Sequence, residues 1–221
     1  MTTIPEELTM TTPTTIDQDA ALATTVRALS TEFAATVGPE TVARLVRESY
    51  DTLATTATLR NHLPVLTERF ARQRLRALRR LDDGAGSTPT VLFLCVQNAG
   101  RSQMALGFLT ALAGESAVGW SGGSEPGGQI DPTAVAVMAE RGIDITDEFP
   151  KPWTDEVVRA ADVVISMGCG DACPVYPGKR YEEWTIADPA GADIETTRAV
   201  RDDIESRVRT LLAELGVAVS A

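Results

Sequence analysis

Apolar residues recur at steps of three and four through the first third of the chain. Leu22, Val26, Leu29, Phe33 and Val37 form one stripe, and Val42, Leu45, Val46, Tyr50 and Leu53 form a second. Leu66, Phe70, Leu75, Leu78 and Leu81 form a third, in a segment that starts near Leu63. A period near 3.6 puts each set on one face of a helix. "VGPET" separates the first two segments, with Pro39 suited to a first helical turn, and "RNHLP" separates the second from the third. Short connections between amphipathic helices predict a small three-helix bundle over residues 17–82. Residues 1–16 are rich in Thr and Pro. They bury too little to offset the entropy of ordering, so a disordered tail is expected there.

"DDGAGSTP" ends this pattern, and residues 83–89 read as a linker by composition. Beyond it the period changes. "TVLFLCV", "AVGWSGG", "DVVISMG" and "EEWTIAD" are short apolar runs, partly β-branched. Helical patterns follow them at Ser102–Ala113, Pro132–Arg141, Thr154–Ala161 and Ile194–Leu215. This alternation predicts an α/β domain over residues 90–221: a four-stranded parallel sheet with helices on both faces.

The chain is 43% apolar, ordinary for a globular protein with a real core. No stretch approaches the roughly 18 uninterrupted apolar residues of a membrane helix. The N-terminus lacks the basic start and apolar middle of a secretory signal. A cytoplasmic protein with no membrane partner is therefore expected. The net charge is −11, with 11 acids and 10 bases up to residue 89 against 20 acids and 10 bases after it. That field disfavours nucleic acid, and an anion bound by the second half needs a local, backbone-built site. The third helix has a basic face of Arg69, Arg72, Arg76, Arg79 and Arg80. Solvent or the acidic half of the same chain is the expected neighbour; a DNA-binding regulator is the alternative.

The chemistry concentrates in "VLFLCVQNAGRSQMALGFL", Val91 to Leu109. An apolar strand delivers Cys95, a small polar loop follows, and a helix starts near Arg101-Ser102. Backbone N–H groups from Val96, Gln97, Asn98, Ala99, Gly100, Arg101 and Ser102 have no helical partners and can converge on an anion. Gly100 offers a backbone angle that a larger residue resists. Arg101 adds a planar fork matched to two oxygens of a tetrahedral oxyanion. Such surroundings favour the thiolate of Cys95, the form that acts as nucleophile, and Ser102 can donate to its sulfur. The other two cysteines, Cys169 and Cys173, lie in "MGCGDACPVYPG". Gly168, Gly170 and Pro174 make that segment a loop rather than a stable helix. Two structural cysteines, or half of a metal site, are the other readings. Zinc needs more ligands than this pair, and the chain's only histidine, His62, lies in the helical region.

"CVQNAGRS" resembles the Cys-x5-Arg-Ser loop of the low-molecular-weight protein tyrosine phosphatase fold, and "CVQNAGRSQMA" is similar to its arsenate reductase branch. The resemblance continues through "GWSGGSEPGGQIDPTAVAVMAERGIDI", "ADVVISMGCGDACPVYPG" and "ADPAG", and covers roughly residues 90–215. It implies reduction of arsenate to arsenite with no cofactor. Cys95 attacks arsenate, Cys169 attacks Cys95 as arsenite leaves, and Cys173 closes a Cys169–Cys173 disulfide that thioredoxin reopens. Mycothiol serves some relatives, generally ones without the extra cysteines. The resemblance makes Asp188 in "ADPAG" the general acid. A tyrosine phosphatase is the alternative enzyme, but Ala190 stands where that branch commonly carries an aromatic, and Gly100 where it tends to carry a second cysteine. Leu106 replaces a glutamate that helps some relatives bind potassium, so no cation site is expected. Residues 17–81 resemble a helical domain fused to some members of the family.

Overall fold

The computed structural model describes residues 15–55, 62–84, 86, 88–168 and 175–219, the first three by their backbone only. The expected helices are α1 (Thr15–Glu32), α2 (Pro39–Ala54) and α3 (Leu63–Asp83). Helix α1 already includes Thr15 and Ile16, which the expected 1–16 tail had claimed. Val37 lies past its end, because Gly38 is extended at φ −65, ψ 150 ahead of Pro39. Val37 still packs on the bundle core of Leu22, Leu29, Phe33, Val42, Leu45, Val46, Ala71 and Leu75.

The remaining elements are β1 (Thr90–Cys95), α4 (Arg101–Ala113), β2 (Val118–Gly123), α5 (Pro132–Ala139), α6 (Asp155–Ala160), β3 (Val163–Met167), β4 (Arg180–Glu183) and α7 (Ile194–Glu214). The sheet order is β2-β1-β3-β4, and all three pairings are parallel. Every residue of the central strand β1 is buried, which explains its unbroken apolar run. Val91, Phe93 and Cys95 face α4, α5 and α7. Leu92 and Leu94 face α6, and Ala77 of α3 joins them on that side. The fourth strand is earlier and shorter than the expected 182–188. Its pairing ends at Glu183, because β3 stops at Met167 and Gly168 turns away at φ 78. Trp184 and Ile186 still enter the core from the unpaired segment beyond.

The bundle docks on the sheet domain through the basic face of α3. Arg74 is buried and pairs with Glu156 and, at 2.9 Å, with Glu48. Arg80 donates to the Ala160 carbonyl at 3.0 Å and to Asp162 at 2.6 Å. Arg69 bonds the Asp147 carbonyl and pairs with Glu148 at 3.2 Å. Arg69 and Arg80 of the basic face thus meet acids of the second half, while Arg72 pairs with Glu32 and Glu68 of the bundle itself. Among the described residues no helix is long and apolar enough to cross a membrane.

Candidate active site

Parallel pairing brings the C-terminal ends of β1 and β3 to one edge, with Cys95 opposite Met167. Open α/β sheets place their ligands at this edge. Cys95 is 2% exposed there, at the mouth of the 96–100 loop.

The loop holds its carbonyls outward. Cys95, Val96, Gln97 and Ala99 accept from the amides of Ser124, Glu125, Gly127 and Asp131, at 3.3, 2.9, 2.9 and 3.0 Å. The Asn98 carbonyl accepts from the Gln103 side chain at 3.0 Å. With successive carbonyls committed to this outer belt, the loop amides are left for the inside, as an anion nest requires. The Asn98 amide donates to Cys95 Sγ at 3.2 Å. Helix α4 begins at Arg101 with no capping side chain, so its first-turn N–H groups add to the same positive end. Gly100 has φ −126; the left-handed position of the loop is Asn98, at φ 50. Asparagine tolerates that conformation better than most residues. The belt also explains Gly123, where a Cβ would sit 2.5 Å from the Val96 carbonyl oxygen.

Asn98 is fully buried and acts as a hub. Its Oδ1 accepts from the Lys151 backbone N–H at 3.0 Å and from Gln103 Nε2 at 3.1 Å. A backbone N–H can only donate, so the amide orientation is fixed. Nδ2 therefore donates to Ser102 Oγ at 2.8 Å. Ser102 lies 3.0 Å from Cys95 Sγ, and with its oxygen already accepting, its proton is free to point at the sulfur. The thiolate thus receives one backbone and one hydroxyl hydrogen bond, the second polarised through Asn98.

Arg101, 7% exposed, donates to Asp188 at 2.7 Å and to the Ile186 carbonyl at 3.3 Å. The Ala190 amide holds the other Asp188 oxygen at 3.1 Å. The structure therefore brings together Cys95, Asn98 and Ser102 in direct contact, and Arg101 with Asp188. Gly168 abuts Arg101: a Cβ there would sit 3.2 Å from a guanidinium nitrogen. Cys169 and Cys173 lie outside the described residues. Among the described residues no group of three or more His, Cys, Asp or Glu is arranged to hold a metal ion.

Sequence reasoning passed over Lys151. It is buried, with Nζ on Ser121 Oγ at 3.2 Å, on the Phe149 carbonyl at 3.3 Å and near Glu148 at 3.5 Å. Burial pushes its ammonium below the usual lysine range, and Glu148 opposes that shift. No local pattern in "FPKPW" announces this role. Trp120 and Trp184 are core residues.

Residues 90–221 match the family described as low molecular weight phosphotyrosine protein phosphatase, and residues 22–79 match protein-tyrosine-phosphatase-like, N-terminal domain. A solved thioredoxin-dependent arsenate reductase of Corynebacterium glutamicum superposes with a TM-score of 0.80 at 42% identity. The match covers 89% of this chain and 97% of that one. The glutaredoxin arsenate reductase of Synechocystis is 40% identical over 129 residues, 57% of this chain and 97% of that protein. A tyrosine phosphatase of Erwinia amylovora, at 24% identity and a TM-score of 0.52 over 57% of this chain and 93% of that one, shares the fold.

Proposed function

The chain belongs to the low molecular weight phosphotyrosine protein phosphatase family, whose Cys-Arg loop serves more than one reaction, and we propose that here it reduces arsenate to arsenite through a three-cysteine relay. The observation that carries this reading is the register of β3 against β1. Cys169 lies two residues beyond Met167, the partner of Cys95. Adjacent strands are about 4.8 Å apart and extended chain reaches about 3.3 Å per residue, so two residues are long enough to cross such a gap. The similarity over 97% of a thioredoxin-dependent arsenate reductase supports the same choice.

The steps follow from the donor set. The loop amides and Arg101 bind the arsenate oxyanion, and the Cys95 thiolate attacks arsenic. Asp188, released from Arg101 and carrying a proton taken up from the incoming hydrogen arsenate, gives it to the departing oxygen, which leaves as water, and a sulfur–arsenic bond remains. The Cys169 thiolate then attacks Cys95 sulfur. The sulfur–arsenic electron pair stays on arsenic, reducing As(V) to As(III), and arsenite departs after taking up protons. Cys173 attacks Cys169, which frees the Cys95 thiolate and leaves a Cys169–Cys173 disulfide. Thioredoxin restores both thiols by exchange. The reading confines the phosphatase alternative to the first half of this sequence, which a phosphatase shares.

Cys173→Ser is the direct test. The variant should release up to one equivalent of arsenite and then stop, because thioredoxin has no surface disulfide to attack. Mass spectrometry of wild type after one turnover without reductant should find Cys169 bonded to Cys173 and Cys95 free. Thioredoxin-coupled turnover at the wild-type rate in Cys173→Ser would sink the relay. A stable small-thiol adduct on Cys95 would point to a mycothiol-type mechanism instead.

A further inference from the structure

The bundle reaches the active site through one short segment, residues 147–151. On its outer side, Arg69 of α3 bonds the Asp147 carbonyl, pairs with Glu148 and lies over the Phe149 ring at 5.2 Å. That ring is buried in a bundle cluster with Leu53, Leu63 and Phe70, away from the sheet core. On its inner side, the segment touches the hub of the nucleophile. The Lys151 N–H donates to Asn98 Oδ1, and Gln103 Nε2 ties Asn98 to the Phe149 carbonyl at 3.2 Å. Lys151 Nζ closes the segment on itself, between the Phe149 carbonyl and Glu148. Five residues of chain, 147–151, thus join an arginine of the bundle to the amide that aims Ser102 at Cys95.

We propose that the helical bundle is part of the catalytic machinery, and that Arg69 is a positioning residue: by clamping residues 147–151 it holds the Lys151 N–H against Asn98 and so keeps the hydrogen-bond chain to the Cys95 sulfur aligned. Arg69 touches neither substrate nor sulfur. The sheet domain also holds the segment, through the backbone bridge of Gly123 with Lys151 and Pro152, Lys151 Nζ on Ser121 Oγ and Gln103 Nε2 on the Phe149 carbonyl, but none of these engages Asp147, whose carbonyl Arg69 holds. Another docking arginine, Arg80, meets Ala160 and Asp162 elsewhere on the interface and has no contact with this chain of bonds.

The inference rests on the reading of Cys95 as the attacking sulfur, and its test is chosen to need no arsenate. Alkylation of Cys95 by iodoacetamide is followed by peptide mass spectrometry across a range of pH in the full-length chain. The set is wild type, Arg69→Ala, Arg69→Lys, Glu148→Gln and the docking control Arg80→Gln. Arg69→Ala and Glu148→Gln should displace the profile to higher pH, and Arg69→Lys should restore part of it. In arsenate turnover, kcat should fall by about tenfold with KM nearly unchanged, the mark of a misplaced reacting group. Arg80→Gln should leave the profile where it is. Should Arg69→Ala fail to fold, Glu148→Gln carries the test. An unchanged profile in the Arg69 and Glu148 variants, or an equal displacement in Arg80→Gln, overturns the inference. Wild type that alkylates normally at Cys95 but leaves arsenate unreduced would defeat the proposed reaction and leave this coupling intact.

Discussion

Ser102→Ala isolates the last link in the chain of hydrogen bonds behind the nucleophile. Ser102 is fully buried, and its hydroxyl lies 3.0 Å from Cys95 Sγ and 2.8 Å from Asn98 Nδ2. Removing it takes one of the two hydrogen bonds from the sulfur. A hydrogen bond to a charged group contributes about 1.5–3 kcal/mol, so the thiolate population at a pH below its midpoint should fall by about one to two powers of ten. A thiolate with fewer hydrogen bonds is intrinsically more reactive, with a Brønsted coefficient of about 0.4–0.5, which recovers about half of that loss on a logarithmic scale. The net expectation is alkylation of Cys95 by iodoacetamide slowed by about three- to tenfold on the acid limb of its pH profile. Arsenate turnover should drop at least as far, because the buried Asn98 Nδ2 loses the hydroxyl it donates to. A thermal melt checks that the helix start survives. The refuting result is a Cys95 alkylation rate equal to wild type in a folded variant, which would mean that the sulfur's state is set by the loop amides alone.

Two further outcomes follow from contacts away from the sulfur. Asp188→Asn keeps the shape of the acid loop but cannot give up a proton. Its kcat for arsenate should fall by about a hundredfold or more in steady-state assays. KM should not rise, since Arg101 loses a competing carboxylate now 2.7 Å away. An unchanged kcat would remove Asp188 from the mechanism. The second concerns acid. The Glu140 carboxyl is held down to about 2, against an ordinary value of 4.5, by hydrogen bonds from Arg198 and then Arg201. A depressed carboxylate stabilises the fold above its unfolded value and loses that contribution as pH falls through the folded one. The midpoint of urea unfolding should therefore fall as pH drops from about 4.5 to about 2 in wild type. In Arg198→Ala, part of that pH dependence should disappear, and identical slopes would refute the assignment.

The readable part of this protein is the part governed by short-range periodicity. Stripes such as Val42, Leu45, Val46 and Leu53 are buried on one face of α2 because that spacing has one solution. The loop was legible for a similar reason: an apolar strand, Cys95, and Arg101-Ser102 at a helix start are consecutive in the chain. Asp188 is distant in sequence, and only family resemblance marked it, as the general acid; its pairing with Arg101 depends on the fold. Two features escaped. The fourth strand was placed over Trp184 and Ile186 because they are apolar, yet strand pairing depends on what lies alongside, and Gly168 had already ended β3. Lys151 escaped because a lysine between prolines carries no signature of burial. Its position depends on Asn98, Ser121 and Phe149, which lie far apart in the chain.

A chain of net charge −11 that binds an oxyanion faces an unfavourable field, and the site answers it with geometry rather than with added cations. The outer belt of Ser124, Glu125, Gly127 and Asp131 amides engages the loop carbonyls, so the negative ends of the loop's peptide dipoles point away from the substrate. What remains inward is a set of fixed positive dipoles that need no reorganisation when charge arrives. Arg101 is the one guanidinium described in this nest, and Asp188 already neutralises it at rest. The arrangement costs little electrostatically when empty, and an arriving anion gains Arg101 by displacing a carboxylate, which can act as an acid once it has taken up a proton from that anion. The arginines of α3 serve the opposite end of the problem: Arg69, Arg74 and Arg80 engage Glu148, Glu156 and Asp162 at the domain interface. Part of the chain's acidity is thereby spent on docking, and the field near Cys95 is decided by backbone dipoles only a few ångströms away.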